Sequence, residues 1–188
     1  MPKLWHDTIE AHRSAVADAI MDRTASIAAS EGVHALTMAR IAEEAGVGRA
    51  TLYRHFKDVG EILAAWHQRQ ISAHLVDLES VRDRHDSPLK ALEAVLITYA
   101  FHSAHDHHGS LGQVLHAQPH VHDAHRHLQS FIASMVETAS NAGQIDAQAT
   151  PAEAARYVLA AMQALPPSPS RPAVNRLVAM VLQGIGAA

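Results

Sequence analysis

Nine of the sixteen histidines in this 188-residue chain are His102, His105, His107, His108, His116, His120, His122, His125 and His127. Imidazole titrates near neutral pH and is a common metal ligand. On a helix, the pairs His102/His105, His105/His108, His116/His120 and His122/His125 would each share a face and could converge on one ion. Asp106 and Asp123 would add oxygen ligands. The chain has no cysteine, so such a site would suit zinc, nickel or cobalt over cuprous ion. A metal-responsive protein is one reading of this cluster. The plainer reading, which the absence of a single defined ligand set favours, is a solvated polar face that titrates near neutrality. The run His120-Val121-His122-Asp123-Ala124-His125 is one place out of register with the HxHxDH pattern of metal-dependent hydrolases, a chemistry that would also need strands. HExxH, GxSxG and a phosphate-binding glycine loop are all missing. The expectation is a protein that is not an enzyme and holds no cofactor.

A second group of residues suits a different chemistry. Between Gly46 and Lys57 the only formal charges are Arg49, Arg54 and Lys57, although the whole chain carries −4. A local positive face on a mildly acidic body is compatible with phosphate binding at a specific site. Two short helices at a steep angle are needed to present such a face. They require a small residue where they cross, a glycine in the turn and apolar residues that lock them. Ala42, Gly46, Val47 and Leu52 supply these in order, with Ile41 and Ala45 completing the wedge. Arg49, Ala50, Thr51 and Tyr53 are left facing outward. This spacing predicts a helix-turn-helix over roughly Thr37 to Phe56; an ordinary helical hairpin is the bland alternative.

Several elements must hold that motif. Ile9, Val16, Ile20 and Ile27 recur at mostly helical spacing and Gly32 ends the helix they define. Thr37 can cap the second helix, the third runs from Arg49 to Phe56, and a long fourth begins near Asp58. Ser87-Pro88 opens a fifth. Beyond His102 the periodicity blurs, with a short apolar helix expected around Leu111, Val114 and Leu115 and a turn at Pro119. It returns at Leu128 and runs until Gly143. Thr150, Pro151 and Glu153 form a helix-start signal, and a last helix follows the Pro166 to Pro169 break. No stretch alternates as a strand does, so the fold class is all-α. Hydrophobic residues make up 48% and charged residues 18% of the chain, the balance of a globular protein with a sizeable core. No apolar run approaches the ~20 residues of a membrane span, and no signal peptide is seen. The expected location is the cytoplasm.

The run Leu36 to Phe56, LTMARIAEEAGVGRATLYRHF, followed by Lys57-Asp58 and an apolar helix, resembles the DNA-binding domain of the TetR family of transcriptional regulators. The resemblance is close over about the first third of the chain; beyond that only the helical layout agrees. It implies a DNA-binding domain over residues 1–57 and a helical effector-binding and dimerisation domain over 58–188. It also implies a repressor, released from a pseudo-palindromic duplex operator by a small-molecule effector. Mapped residue by residue, Arg49 is the candidate for guanine, since a guanidinium engages O6 and N7 together. Ala50 and Thr51 would meet a thymine methyl, while Thr37, Tyr53, His55 and Lys57 would hold phosphates and Arg40 would serve either role. Gly48 stands where the family often has a hydroxyl residue capping the recognition helix. Gly60, in the first turn of the fourth helix, would loosen the joint between head and body.

The resemblance places a homodimer interface on the last two helices. Val158, Leu159, Met162, Val174, Leu177, Val178, Val181, Leu182 and Ile185 present more apolar surface than one thin body easily hides; completing the monomer core is the alternative. An effector among the middle helices would meet Trp66, Gln70, Leu96, Tyr99, Leu115 and Phe131, which a plain core would equally contain.

Overall fold

A computed structural model of the chain describes residues 3–106, 119–146 and 148–187, with side chains except those of 3–9, 104–106 and 119–121. Eight α-helices occur among the described residues: α1 (Lys3–Glu31), α2 (Met38–Glu44), α3 (Arg49–His55), α4 (Val59–Asp83), α5 (Pro88–Asp106), α6 (Pro119–Asn141), α7 (Pro151–Met162) and α8 (Arg171–Gly184). A 3-10 turn, Val33–Ala35, links α1 to α2. The one β-type contact among these residues is an isolated bridge between Ile145 and Ala187. The all-α expectation holds. The chain divides into two compact units, the first reaching Gln70 and the second starting at Ile71, so that the division falls within α4.

In the first unit, α1 buries Ile20, Met21, Ile27 and Ala28, and the turns that follow bury Leu36, Ile41, Ala42, Leu52, Phe56, Ile62 and Leu63. Thr24 is also fully buried and donates its hydroxyl hydrogen to the Ile20 carbonyl at 2.8 Å, which satisfies a polar group that would otherwise be costly inside. Gly46 closes α2 at φ +66°, a left-handed conformation that a residue without Cβ adopts freely.

The second unit has a continuous apolar core. It draws Leu78 from α4, Leu92, Val95 and Leu96 from α5, Ile132 and Val136 from α6, Val158 and Met162 from α7, and Val174 and Val178 from α8. Helix-start chemistry sets its joints. The Ser87 carbonyl accepts from Ala91 N–H at 2.9 Å and the Gln144 side chain accepts from Leu89 N–H at 2.8 Å, tying the start of α5 to the end of α6. Thr150 and Glu153 make the reciprocal pair expected of them: Glu153 N–H donates to Thr150 Oγ1 at 3.3 Å and Thr150 N–H donates to the Glu153 carboxylate at 2.9 Å. Ser170 caps α8. Gly186, at φ +88°, lies so close to the Asp146 carbonyl oxygen that a Cβ would sit 2.3 Å from it.

One boundary differs from the expectation. Pro119 is not a turn: α6 begins there and continues through the histidines to Asn141. Proline at a first helical position lacks only an N–H that would have no intrahelical acceptor, so it starts a helix as readily as it interrupts one. The expected helix at Leu111, Val114 and Leu115 lies outside the described residues.

Candidate nucleic-acid interface

Helices α2 and α3 are set by their buried faces. Leu52 and Ile41 are fully buried and Ala42 nearly so, and Val47 N–H reaches back to the Ala42 carbonyl at 2.9 Å. With that side of α3 fixed inward, Arg49, Ala50, Tyr53 and Arg54 are exposed and Thr51 is half-buried. Tyr53 is the most exposed ring among the described aromatic residues, at 56%. Lys57 is exposed in the turn before α4. Its backbone N–H donates to the Glu61 carboxylate at 2.6 Å, and Glu61 N–H donates to Asp58 Oδ1 at 2.9 Å. A Cβ at Gly60 would come within 3.1 Å of that same Asp58 oxygen. Gly60 thus makes room for the carboxylate that starts α4.

Thr37 caps α2, its Oγ1 accepting from Arg40 N–H at 3.2 Å. Gly48 is the N-terminal cap residue of α3, in extended conformation (φ −68°, ψ 146°) and without a side-chain cap. Arg40 sits differently from the other candidates. Its guanidinium donates to both carboxylate oxygens of Glu31 on α1, through Nη1 at 2.9 Å and through Nη2. Glu31 lowers its pKa and Arg40 raises its own chiefly through this shared hydrogen bonding. The pair links the end of α1 to α2 and neutralises a charge that the residue types alone assign to DNA.

His55 is half-buried. Burial, and then the positive charges of Arg13 and Arg54, hold its imidazole pKa below the ordinary 6.5. Two basic residues thus join the group that sequence reasoning singled out. Arg54 was visible as a charge on α3; Arg13 lies on α1, too far along the chain for any spacing rule to bring it to His55.

The other candidates are distributed as follows. Of the nine apolar residues assigned to an interface, Val158, Leu159, Met162, Val174, Val178, Val181, Leu182 and Ile185 are buried within the single chain, and Leu177 packs partly buried against the same core. What α7 and α8 leave exposed is another face, with Tyr157 at 48% and Met180 at 66%. Among the effector candidates, Trp66 and Gln70 are half-buried in the first unit. Leu96 and Phe131 are buried in the core of the second, and Tyr99 packs partly buried against that core. The Arg82 guanidinium covers the Phe131 ring at 5.3 Å. Leu115 lies outside the described residues. The second unit also holds an open cleft of about 640 Å³, lined by Arg82, Asp83, His85, Asp86, Pro88, Ala91, Ser134, Met135 and Thr138, none of them an effector candidate.

Among the described residues no three histidine, aspartate or glutamate side chains gather as a metal site would require. His102 Nε2 faces Asp77 Oδ2 at 3.3 Å and its ring stacks on His74, with centroids 4.3 Å and planes 25° apart. His122, His125 and His127 are exposed on α6, and Asp123 pairs with Arg126. The side chains of His105, Asp106, His107, His108, His116 and His120 lie outside the described residues.

The fold and this surface define an all-helical protein with an N-terminal helix-turn-helix domain. Residues 20–65 match the family model of bacterial regulatory proteins, tetR family. An HTH-type transcriptional regulator of Staphylococcus aureus (strain bovine RF122 / ET3-1) is 35% identical over 66 residues, covering 35% of this chain and 36% of that protein. The chain therefore aligns with only about a third of the length of the curated relatives it matches. The fold extends further. A tetR-family regulatory protein from Rhodococcus RHA1 superposes over 92% of this chain and 98% of its own, at TM-score 0.68 and 20% identity. SmeT of Stenotrophomonas maltophilia, in complex with triclosan, covers 90% and 91% at TM-score 0.65 and 23% identity. The N-terminal domain is thus similar to the DNA-binding domain of tetR-family regulatory proteins, and beyond it the likeness is one of fold.

Proposed function

We propose that the chain is a transcriptional repressor that binds duplex DNA through α3. The observation that carries this reading is the division of α3 into two faces. Leu52 is buried together with Ile41 and Ala42, while Arg49, Ala50, Tyr53 and Arg54 stand exposed beside Lys57. A short helix held by its apolar side and bearing basic and aromatic groups on the other fits a major groove. Arg49 reads guanine, Ala50 and Thr51 meet a thymine methyl, and Thr37, Tyr53, His55 and Lys57 hold phosphates. Gly48 brings the start of α3 close to the backbone. Arg54 and Arg13 add to the phosphate-facing charge.

Two copies pair through α7 and α8 and so select a pseudo-palindromic operator. The residues that meet across the pair are those on the faces left exposed, led by Tyr157 and Met180, with Leu177 at the margin; the other eight apolar positions support that face from beneath. The effector is a small molecule taken up by the second unit, in keeping with the triclosan complex of SmeT, the repressor of an efflux pump. Its binding would shift the population away from the DNA-competent state. Selection of bound sequences from a random duplex pool tests the proposal. Enrichment of an inverted repeat supports it. An unenriched pool from folded protein overturns it.

A further inference from the structure

Helix α1 carries Asp18 and Asp22 one turn apart on the same face, and both are taken by one side chain of α4. Arg69 donates through Nη1 to Asp18 Oδ1 at 2.7 Å and through Nη2 to Asp22 Oδ1. Each guanidinium nitrogen serves a different carboxylate, so the planar fork straddles a turn of α1 in a way a lysine ammonium cannot. All three residues lie in the first compact unit. The Arg69 side chain is 32% exposed, against 45% for Asp18 and 65% for Asp22.

Two carboxylates against one guanidinium leave the cluster locally negative, which disfavours phosphate there. Arg69 therefore has no charge to offer a duplex, and its use is mechanical. Only Phe56, Lys57 and Asp58 separate α3 from α4, and Phe56, Ile62 and Leu63 are buried beside that joint. The other end of the motif is gripped by the Glu31–Arg40 pair. Helix α1 is thus tied by charge to the helices that precede and follow α3 in the chain, α2 and α4.

We propose that Arg69 is a positioning residue for DNA binding: by clasping Asp18 and Asp22 it fixes the first half of α4 on α1 and so fixes the angle at which α3 is presented. The inference rests on the reading of α3 as a DNA-binding helix. It predicts a loss of affinity that leaves sequence preference and salt dependence untouched, because no phosphate or base contact is removed.

The test uses the full chain and a duplex recovered by selection. Dissociation constants are measured against salt, with the active fraction fixed by stoichiometric titration so that misfolded protein does not count. Arg69→Met, which keeps the aliphatic stem, should weaken binding by about fivefold, with Arg69→Lys recovering part of the loss. The double variant Asp18→Asn, Asp22→Asn should lose a similar factor, and adding Arg69→Met to it should cost nothing more. The slope of log K against log salt should match wild type throughout; a slope lower by about 0.9 would make Arg69 a phosphate contact and overturn the clasp. Unchanged affinity in Arg69→Met, or fully additive losses, would overturn it too. If wild type itself enriches no duplex, the regulator reading fails and this one with it; specific wild-type binding alongside an indifferent Arg69→Met sinks the clasp alone.

Discussion

The two units of this molecule rely on charge to different extents. In the first, ion pairs span helices distant in sequence: Glu31 with Arg40, and Asp18 and Asp22 with Arg69. In the second, the arginine–carboxylate pairs among the described residues, Arg82–Asp83 and Arg126–Asp123, are local; His102 beside Asp77 and Arg82 over Phe131 link helices, but most long-range order comes from an apolar core shared by α4 to α8. Partly exposed ion pairs are worth little stability each, but they constrain direction, which an apolar contact does poorly. If α3 is the DNA-binding helix proposed above, a unit that presents it at a defined angle gains from directional contacts. A unit built as one continuous core of several helices gains from burial. Substitutions should therefore separate the two, with stability responding most to the second unit and duplex affinity to the first.

The largest effect expected is Leu92→Ala. Leu92 is fully buried in the second unit's core, and truncation there should cost about 2–5 kcal/mol in denaturant unfolding. Duplex affinity of the fraction that remains folded should be unchanged. A parallel fall in that affinity would break the comparison, because it would show the core setting the DNA-binding geometry. The converse case is Arg49→Ala. It should weaken specific binding by about 1–3 kcal/mol and relax one base position per half-site, while the unfolding midpoint moves by less than about 0.5 kcal/mol, as for an exposed side chain. Equal affinity in mutant and wild type would remove Arg49 from the recognition role.

These two sites also differ in how far the sequence reveals them. The α2–α3 hairpin is written in short-range terms: Ala42, Gly46 and Leu52 lie within eleven positions and each has one structural use. The helix starts at Pro88 and Pro151 are equally local. What the sequence hides is whatever depends on distance along the chain. Periodicity marks Val158, Val174 and Val178 as apolar, yet cannot say whether the same molecule or a partner covers them; here one chain buries all three. Charge type marks Arg40 as basic but not as already matched by Glu31. The Arg69 clasp joins residues 47 and 51 positions apart, beyond any helical spacing. Pro119 was misleading for a different reason, since proline signals both helix starts and breaks and the histidines after it carry no apolar rhythm to decide between them.

A smaller effect sharpens the account of the second unit. Thr150→Ala removes the reciprocal cap of α7, where Thr150 and Glu153 each satisfy the other's backbone N–H. The expected cost is about 1 kcal/mol. Amide exchange should locate the loss in the first turn of α7, with duplex affinity unaffected. A matching loss of affinity would mean that the start of α7 is coupled to the pairing of subunits.

The smallest effect is the most discriminating, because folding and DNA binding should pull on one group in opposite directions. In the free protein, burial together with Arg13 and Arg54 keeps the His55 pKa below 6.5. The unfolded chain therefore binds more protons at this site. Stability from His55 is fully present above pH 6.5 and is lost as pH falls through the lower folded value. Comparing the melting of wild type with His55→Gln across that window cancels the other histidines, and the variant should lose less stability on acidification. A phosphate beside His55 favours the imidazolium and raises its pKa in the complex. Duplex affinity of wild type should then rise as pH drops below 6.5, with a steeper salt dependence, while His55→Gln stays comparatively flat. If both proteins show the same pH profile for binding, His55 faces no phosphate. Its depressed pKa would then record only its place against the arginines of α1 and α3.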